Sequence, residues 1–301
     1  MKKTLSLILA LCMVFALCAC GTKAPVTTTT PTGTPAPVEP TATDYSAMTL
    51  DELKAVYTTI ADGKLTVATS PDFAPYEFYA IDEKGEPVLS GFDMALAQYI
   101  ADYLGLELEV VPMDFDGVLA ELKNCTVDIG LAGLSPDPDR MDAMDFSDIY
   151  YKGGQSFVTT VANKDVFKAL TDANKADYSI GAQTGSIQQT LAETNTPDAD
   201  VVLLTKVTDI VAELVSGKLD GAFIETVVAE SYAKNYPDLY VAIDVPYDVA
   251  GSSVGIAKGN EALVAAINLA IADLLKTDGM DKFVSEANKL AEGEVILGVI
   301  D

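Results

Sequence analysis

The 301-residue chain contains no histidine, no tryptophan and a single arginine. Histidine is the side chain whose ordinary titration falls nearest neutral pH. Without it, acid–base chemistry would pass to carboxylates, lysines or tyrosines. Cysteines number four, at positions 12, 18, 20 and 125. With no imidazole and so few thiols a zinc site lacks a ligand set, and no metal or other cofactor is expected. Basic residues are also few: 19 Lys plus Arg face 45 Asp plus Glu, a formal charge of −26. That balance excludes nucleic acid as a partner and excludes electrostatic attraction to anionic lipid. The apolar run from Leu5 to Leu17 is too short to span a bilayer.

That run, preceded by Lys2 and Lys3, reads as an export signal over residues 1–19. It ends in Leu17-Cys18-Ala19-Cys20-Gly21, which resembles a lipobox and implies cleavage before Cys20 with a lipid thioether on that residue. Simple secretion remains the alternative. Loss of residues 1–19 removes two lysines, leaving 17 basic residues against 45 acids, formally −28. Cys125 is then the one thiol besides the lipidated Cys20, so no internal disulfide can form. Residues 20–48 are expected to be anchor and tether. Thr22 to Thr43 is rich in threonine and proline without apolar periodicity, and about 22 extended residues reach on the order of 70 Å. The expected location is the outer face of the cell membrane.

The single arginine, Arg140, lies in the stretch Asp128–Asp148 with five aspartates between positions 137 and 148. Its planar fork of donors suits bidentate capture of a carboxylate, and an ion pair with a neighbouring aspartate is the competing reading. Asp128 to Gly133 reads as a short buried strand that breaks at Gly133. Ser135 offers a hydroxyl and a free amide, and Asp137 caps a helical start at Pro138. Strand end, exposed amide, cap and arginine together form a plausible anion socket.

These residues carry a resemblance. Ala132-Gly133-Leu134-Ser135-Pro136-Asp137-Pro138-Asp139-Arg140, followed by Asp145-Phe146-Ser147-Asp148, is similar to the signature of bacterial extracellular solute-binding protein family 3, receptors of polar amino acid importers. Asp137 stands where the family usually has threonine, and Asp148-Ile149-Tyr150 where it usually has Pro-Tyr. The likeness covers about Lys64 to Leu290. It implies an α/β, two-domain periplasmic-binding-protein-like (type II) fold with two hinge strands and an interdomain cleft. It also implies a monomer that binds a free L-amino acid and delivers it to an ABC permease, without chemistry on the ligand. By the same resemblance Arg140, with Gly133 and Ser135, holds the ligand carboxylate, aided by Ser186 with Thr184 nearby. Glu225 takes the α-ammonium, and Phe73 and Phe115 wall the pocket, a core role being the alternative for Phe115. Ser70 occupies a position where members taking basic ligands often carry aspartate. Its presence favours a neutral polar ligand, unless Asp72 or Glu77 faces the cleft.

The rest of the chain fits two α/β units. A capping box, Thr49-Leu50-Asp51-Glu52, opens a helix expected to end near Gly63. Lys64–Thr69 is a strand, followed by the aromatic, proline-rich loop Ser70–Phe78, whose alternative use is a local aromatic cluster. Glu77 is read as support for that loop. Asp82–Gly85 is a hairpin turn. Phe92, Leu96, Ile100 and Leu104 share a helix face, with Asp93 complementing the dipole of its first turn. An echo at an offset of 92 relates Val118–Asp128 to Ile210–Asp220, each a helix, a turn and a buried strand. Glu225 at the second strand end is either a ligand group or the cap of the next helix. Gln155–Val161 and Gly251–Ala257 are expected to connect the units. Lobe 1 is then residues 49–157 and 250–301, and lobe 2 residues 158–249. Two rivals on the same scaffold stay open: a receptor that signals to a membrane sensor, and an exported dehydratase with Glu225 as its acid.

Overall fold

Thr49 completes the capping box. Its hydroxyl accepts the Glu52 amide at 3.4 Å while the Glu52 carboxylate takes the Thr49 amide at 2.8 Å, opening α1 (Leu50–Lys54). The computed structural model describes residues 43–249, 251–293, 295 and 296. The export signal, Cys20 and all of the tether before Thr43 fall outside the described residues. Helix α1 stops well short of Gly63. The segment beyond it is tied down instead, with the Ile60 amide held by Asp128 Oδ1 at 2.7 Å.

The first lobe continues with β1 (Lys64–Thr69), the hairpin β2 (Phe78–Ile81) and β3 (Pro87–Ser90), and helix α2 (Phe92–Leu104). After these come β4 (Glu107–Pro112), α3 (Phe115–Lys123), β5 (Ile129–Gly130) and β6 (Met144–Tyr151). The periodic face of α2 is buried as expected, and the helix ends at Gly105 in the left-handed conformation that glycine adopts without penalty. The second lobe comprises β7 (Gln155–Thr160), α4 (Leu170–Ala173), β8 (Ser179–Gln183), α5 (Ile187–Asn195), β9 (Asp200–Leu204), α6 (Val207–Val215), β10 (Gly221–Glu225), α7 (Thr226–Asn235) and β11 (Leu239–Val245). The chain then returns to the first lobe with β12 (Ser252–Ala257), α8 (Glu261–Lys276), α9 (Gly279–Ala291) and β13 (Val295–Ile296).

Two open five-stranded sheets result, ordered β4-β1-β5-β12-β6 and β11-β7-β10-β8-β9. A small third sheet pairs β13 with the β2–β3 hairpin. The expected linking strands each belong wholly to one sheet, β7 to the second and β12 to the first. The change of sheet therefore falls in Lys152–Gly154 on the way out and between Val245 and Ser252 on the way back. The expected boundary at 157 lies inside β7, because ladder pairing already begins at Gln155.

The echo at 92 residues is structural. Helices α3 and α6 begin at positions 115 and 207 and end at 123 and 215. The turn after each contains a left-handed residue, Cys125 in one and Gly217 in the other. Next comes an aspartate that clamps the neighbouring strand: Asp128 accepts the Thr66 amide at 2.8 Å, and Asp220 accepts the Ser179 amide at 2.9 Å. Each clamp holds the start of a parallel neighbour, β1 beside β5 and β8 beside β10.

Candidate ligand-binding site

In open α/β sheets the ligand site lies outside the carboxyl ends of the strands. Here those ends from both sheets face one cleft. β1 runs into the loop Ser70–Glu77, which is pinned to the start of α2 by Phe92 N–H to Pro75 O (3.1 Å) and Asp93 N–H to Tyr76 O (2.9 Å). Gly91 permits this: a Cβ there would sit 2.0 Å from Tyr76 O, at a φ of +121°. The loop thus presents Phe73, stacked near Tyr76 at 5.3 Å between centroids.

Beyond β5, Gly133 adopts φ +56°, and a Cβ would meet Phe73 Cε1 at 2.7 Å. Its amide is not free. It donates to Asp93 Oδ2 at 3.0 Å, while Tyr150 donates to Asp93 Oδ1 at 2.7 Å. Asp93 stands in the first turn of α2 as expected and is fully buried, where it also braces Gly133 and Tyr150. The Ser135 amide makes no hydrogen bond with another described residue. Pro138–Arg140 is a single 3₁₀ turn capped by Asp137, whose carboxylate takes the Asp139 amide at 2.8 Å.

Arg140 donates from Nη1 to Ser135 O (3.3 Å) and from Nη2 to Gly185 O (3.0 Å), and its guanidinium carbon lies 5.8 Å over the Phe115 ring. It forms no ion pair with a described acid: the seven such pairs all use lysine. Burial pulls the guanidinium down from its ordinary value, with the nearby Tyr247 and then Asp137 only partly restoring it.

Glu225 ends β10 and is 4 % exposed. Its Oε2 accepts the Val228 amide at 3.0 Å, so it caps α7. Oε1 accepts from the Gly154 amide at 3.3 Å and from the Tyr76 hydroxyl at 3.4 Å. Burial pushes its carboxyl up to about 7, against the lowering effect of the Val228 and Gly154 amides. Glu225 is thus the cap of α7, and it also borders the cleft.

Two adjoining cavities occupy the cleft. The inner one is bordered by Ser70, Asp72, Phe73, Glu77, Phe115 and Arg140, among others, and the outer by Glu225, Gly153, Gly154, Tyr247 and Ser252. Gly133 and Ser135 belong to both. Two expected contacts are not brought in. Ser186 spends its hydroxyl on α5, donating to Gln183 O (2.7 Å) and accepting the Gln189 amide (3.2 Å). Neither Ser186 nor Thr184 borders either of these two cavities, and Gln183, Ile187 and Gln188 line the inner one instead. Two carboxylates do face the cleft. Asp72 reaches across to the second lobe, taking the Val207 amide at 2.7 Å and Gln183 Nε2 at 3.4 Å, and burial pushes it up to about 6. Glu77 is fully buried, and neither of its oxygens has a hydrogen-bond partner. Its support of the loop is therefore slight, with the Ser70 amide near but outside full hydrogen-bond geometry. Burial, then the charges of Asp93 and Asp72, hold it well above the usual carboxylate range.

The lobes meet directly across this cleft. Besides Asp72–Val207 and Arg140–Gly185, the Tyr232 hydroxyl donates to Asp72 O at 3.1 Å and the Tyr247 hydroxyl to Asp137 Oδ2 at 3.0 Å.

Residues 65–286 match the sequence profile of the bacterial extracellular solute-binding proteins, family 3. Among curated relatives, the arginine-binding extracellular protein ArtP of Bacillus subtilis (strain 168) is 31% identical over 94% of this chain and 96% of its own length. The cyclohexadienyl dehydratase of Pseudomonas aeruginosa is 26% identical over 64% of this chain and 70% of its own length. Among solved structures, the amino acid ABC transporter substrate-binding protein AbpA of Streptococcus pneumoniae, bound to L-arginine, is similar with a TM-score of 0.74 and 31% identity. That alignment covers 81% of this chain and all of AbpA.

Proposed function

The chain belongs to the bacterial extracellular solute-binding proteins of family 3, and on that premise we propose that it captures a free L-α-amino acid outside the cell and delivers it to an ABC importer. The observation that carries this reading is Arg140, a half-buried guanidinium at the cavity wall with no ion pair to a described acid and several donors unspent. A charge partly withdrawn from water without a counter-ion is left under-solvated, and a ligand carboxylate supplies one. The Ser135 amide borders the same cavity as a second donor to it. Glu225, on the other lobe, receives the α-ammonium. A zwitterion held at both poles then favours closure through contacts made only when the lobes meet.

A basic side chain is the first candidate. ArtP is named for arginine and AbpA holds it, and in this chain Asp72 and Glu77 border the inner cavity. These acids reverse the expectation of a neutral ligand drawn from Ser70. The protein acts as a binder rather than an enzyme. Glu225, raised toward neutrality, is the group a dehydratase would use as its acid, and absence of product formation on prephenate is the expected result. Cys20 carries the lipid anchor in this reading, and Cys20→Ser is expected to move the protein from the membrane to the soluble fraction without altering ligand affinity.

The deciding experiment is a thermal-shift screen of the full chain against the twenty amino acids. A ligand at 100 times its Kd adds about 2.7 kcal/mol of stability. Stabilisation by one or a few L-amino acids is expected, and no stabilisation by any of them would overturn the reading.

A further inference from the structure

Asp72, Glu77 and Asp93 lie together on the first-lobe side of the inner cavity, and two of the three are provided for. Asp72 accepts from the Val207 amide, Gln183 Nε2 and the Ser70 hydroxyl. Asp93 accepts from the Gly133 amide and the Tyr150 hydroxyl. Both can carry charge on donors fixed by the fold. Glu77 has no donor within full hydrogen-bond geometry, only the Ser70 amide and the Asp93 carboxyl standing near it, although it is fully buried and borders the cavity. The groups that face it are Asp72 on its own loop, Asp93 on α2 and Tyr150 on β6, while Arg140 borders the same cavity with its bonds directed to Ser135 and Gly185. An ionised carboxylate without a donor or a cation is not tolerated in such a place, and the group takes up a proton instead. Two anionic neighbours press it the same way.

Resting on the amino acid reading above, we infer that Glu77 selects for a cationic side chain by exchanging a proton for it. Without ligand the Glu77 carboxyl keeps its O–H. When a guanidinium or ammonium side chain enters the inner cavity, that O–H bond ionises, the proton leaves to solvent, and the carboxylate pairs with the cation. The cavity's net charge is unchanged by the exchange. A neutral side chain of the same shape leaves the proton in place and gains no ion pair. An anionic side chain meets Asp72 at the wall, with the charge of Asp93 behind Glu77, and is refused.

L-Arginine and L-citrulline separate these cases, since the ureido group of citrulline has nearly the shape of a guanidinium without its charge. Calorimetry on the full chain, in two buffers of equal pH and different ionisation heat, counts the protons released. Both ligands present the same α-ammonium to Glu225, so any proton lost there cancels in the comparison. Arginine is expected to release more protons than citrulline, by up to about one. Its affinity is expected to rise with pH, by up to about tenfold per unit on the acid side of the Glu77 titration, beyond any rise seen for citrulline. In Glu77→Gln the proton difference should vanish and arginine should bind on the order of 100-fold more weakly, with citrulline little changed. The comparison on the unaltered protein stands even if that variant does not fold. Equal proton release by the two ligands would overturn the inference alone, as would binding restricted to neutral amino acids. A difference that persists in Glu77→Gln would move the exchange to Asp72 or Asp93 and likewise overturn it. If no amino acid gives heat of binding, the amino acid reading falls and this inference with it.

Discussion

Arg140 is held in place by two backbone carbonyls, one on each lobe. Arg140→Ala is expected to weaken amino acid binding by about 2–5 kcal/mol, because the ligand carboxylate loses its charge partner in a desolvated cleft. Calorimetry on the variant checks this, and an unchanged melting transition would separate lost binding from lost folding. Cys125 offers the opposite case, a residue whose backbone suits another amino acid. It is exposed, with φ +54°, in the turn after α3, where the corresponding turn after α6 has Gly217 at φ +74°. A left-handed L-residue costs about 1–2 kcal/mol, and glycine gives back about 0.5–1 kcal/mol through its freer unfolded chain. Cys125→Gly is therefore expected to be neutral to stabilising by up to about 1 kcal/mol in urea unfolding.

At the scale of elements, the two aspartate clamps make the repeated units register-specific. Asp220→Ala would leave the Ser179 amide without its acceptor at the start of β8. A cost of about 1–3 kcal/mol is expected for that loss, read as a lower urea midpoint with unchanged slope. The repeat was legible in the sequence because helices and buried strands write their period into apolar spacing, as α2, α3 and α6 do. That Arg140, Phe73, Phe115 and Glu225 would border the cleft was legible for a related reason, each being a chemically distinctive side chain at a strand end or in the segment that follows one. Turn residues were not. Within Gln183-Thr184-Gly185-Ser186, the serine is taken by the helix cap, and Gln183 faces the cavity instead. Alternation along β8 held the clue, since Ile180 and Ala182 share the core face, leaving Gln183 on the other. Glu77 had no comparable signal. Its direction is set by the loop's pairing of the Phe73 amide with Glu77 O at 3.1 Å, which follows no period.

Over the whole molecule, the buried acids reverse the usual effect of acid. Asp72 and Asp93 are each raised from 3.8 to about 6, Glu225 from 4.5 to about 7, and Glu77 is raised too, well above the usual carboxylate range, all first by burial. A raised folded value means that the native state binds the proton more tightly, so this stability is fully present below the unfolded values. It is lost as pH climbs through about 4 and on to the folded values near 6–7. Each unit is worth about 1.4 kcal/mol. Glu52 and Asp172 are lowered by backbone amides and oppose the trend, but they stand in solvent, where such effects are screened. The melting temperature without ligand is expected to be higher near pH 5.5 than near pH 8, by several degrees. Relief of the chain's large negative charge acts in the same direction. A midpoint that falls steadily from pH 8 to pH 5.5 would contradict this assignment of buried, protonated carboxyls.

The order of strands in the first sheet also sets a timetable. β12 sits between β5 and β6, yet it follows the whole second lobe in the chain. The second lobe has all its strands by Val245, and its first and last strand residues, Gln155 and Val245, are register partners. Domains generally fold as units as the chain is supplied. The inserted lobe can therefore finish while the lobe begun first still lacks a central strand. The clamshell is completed in reverse, its earliest-made half waiting on residues 252–257 to fill the gap in its sheet.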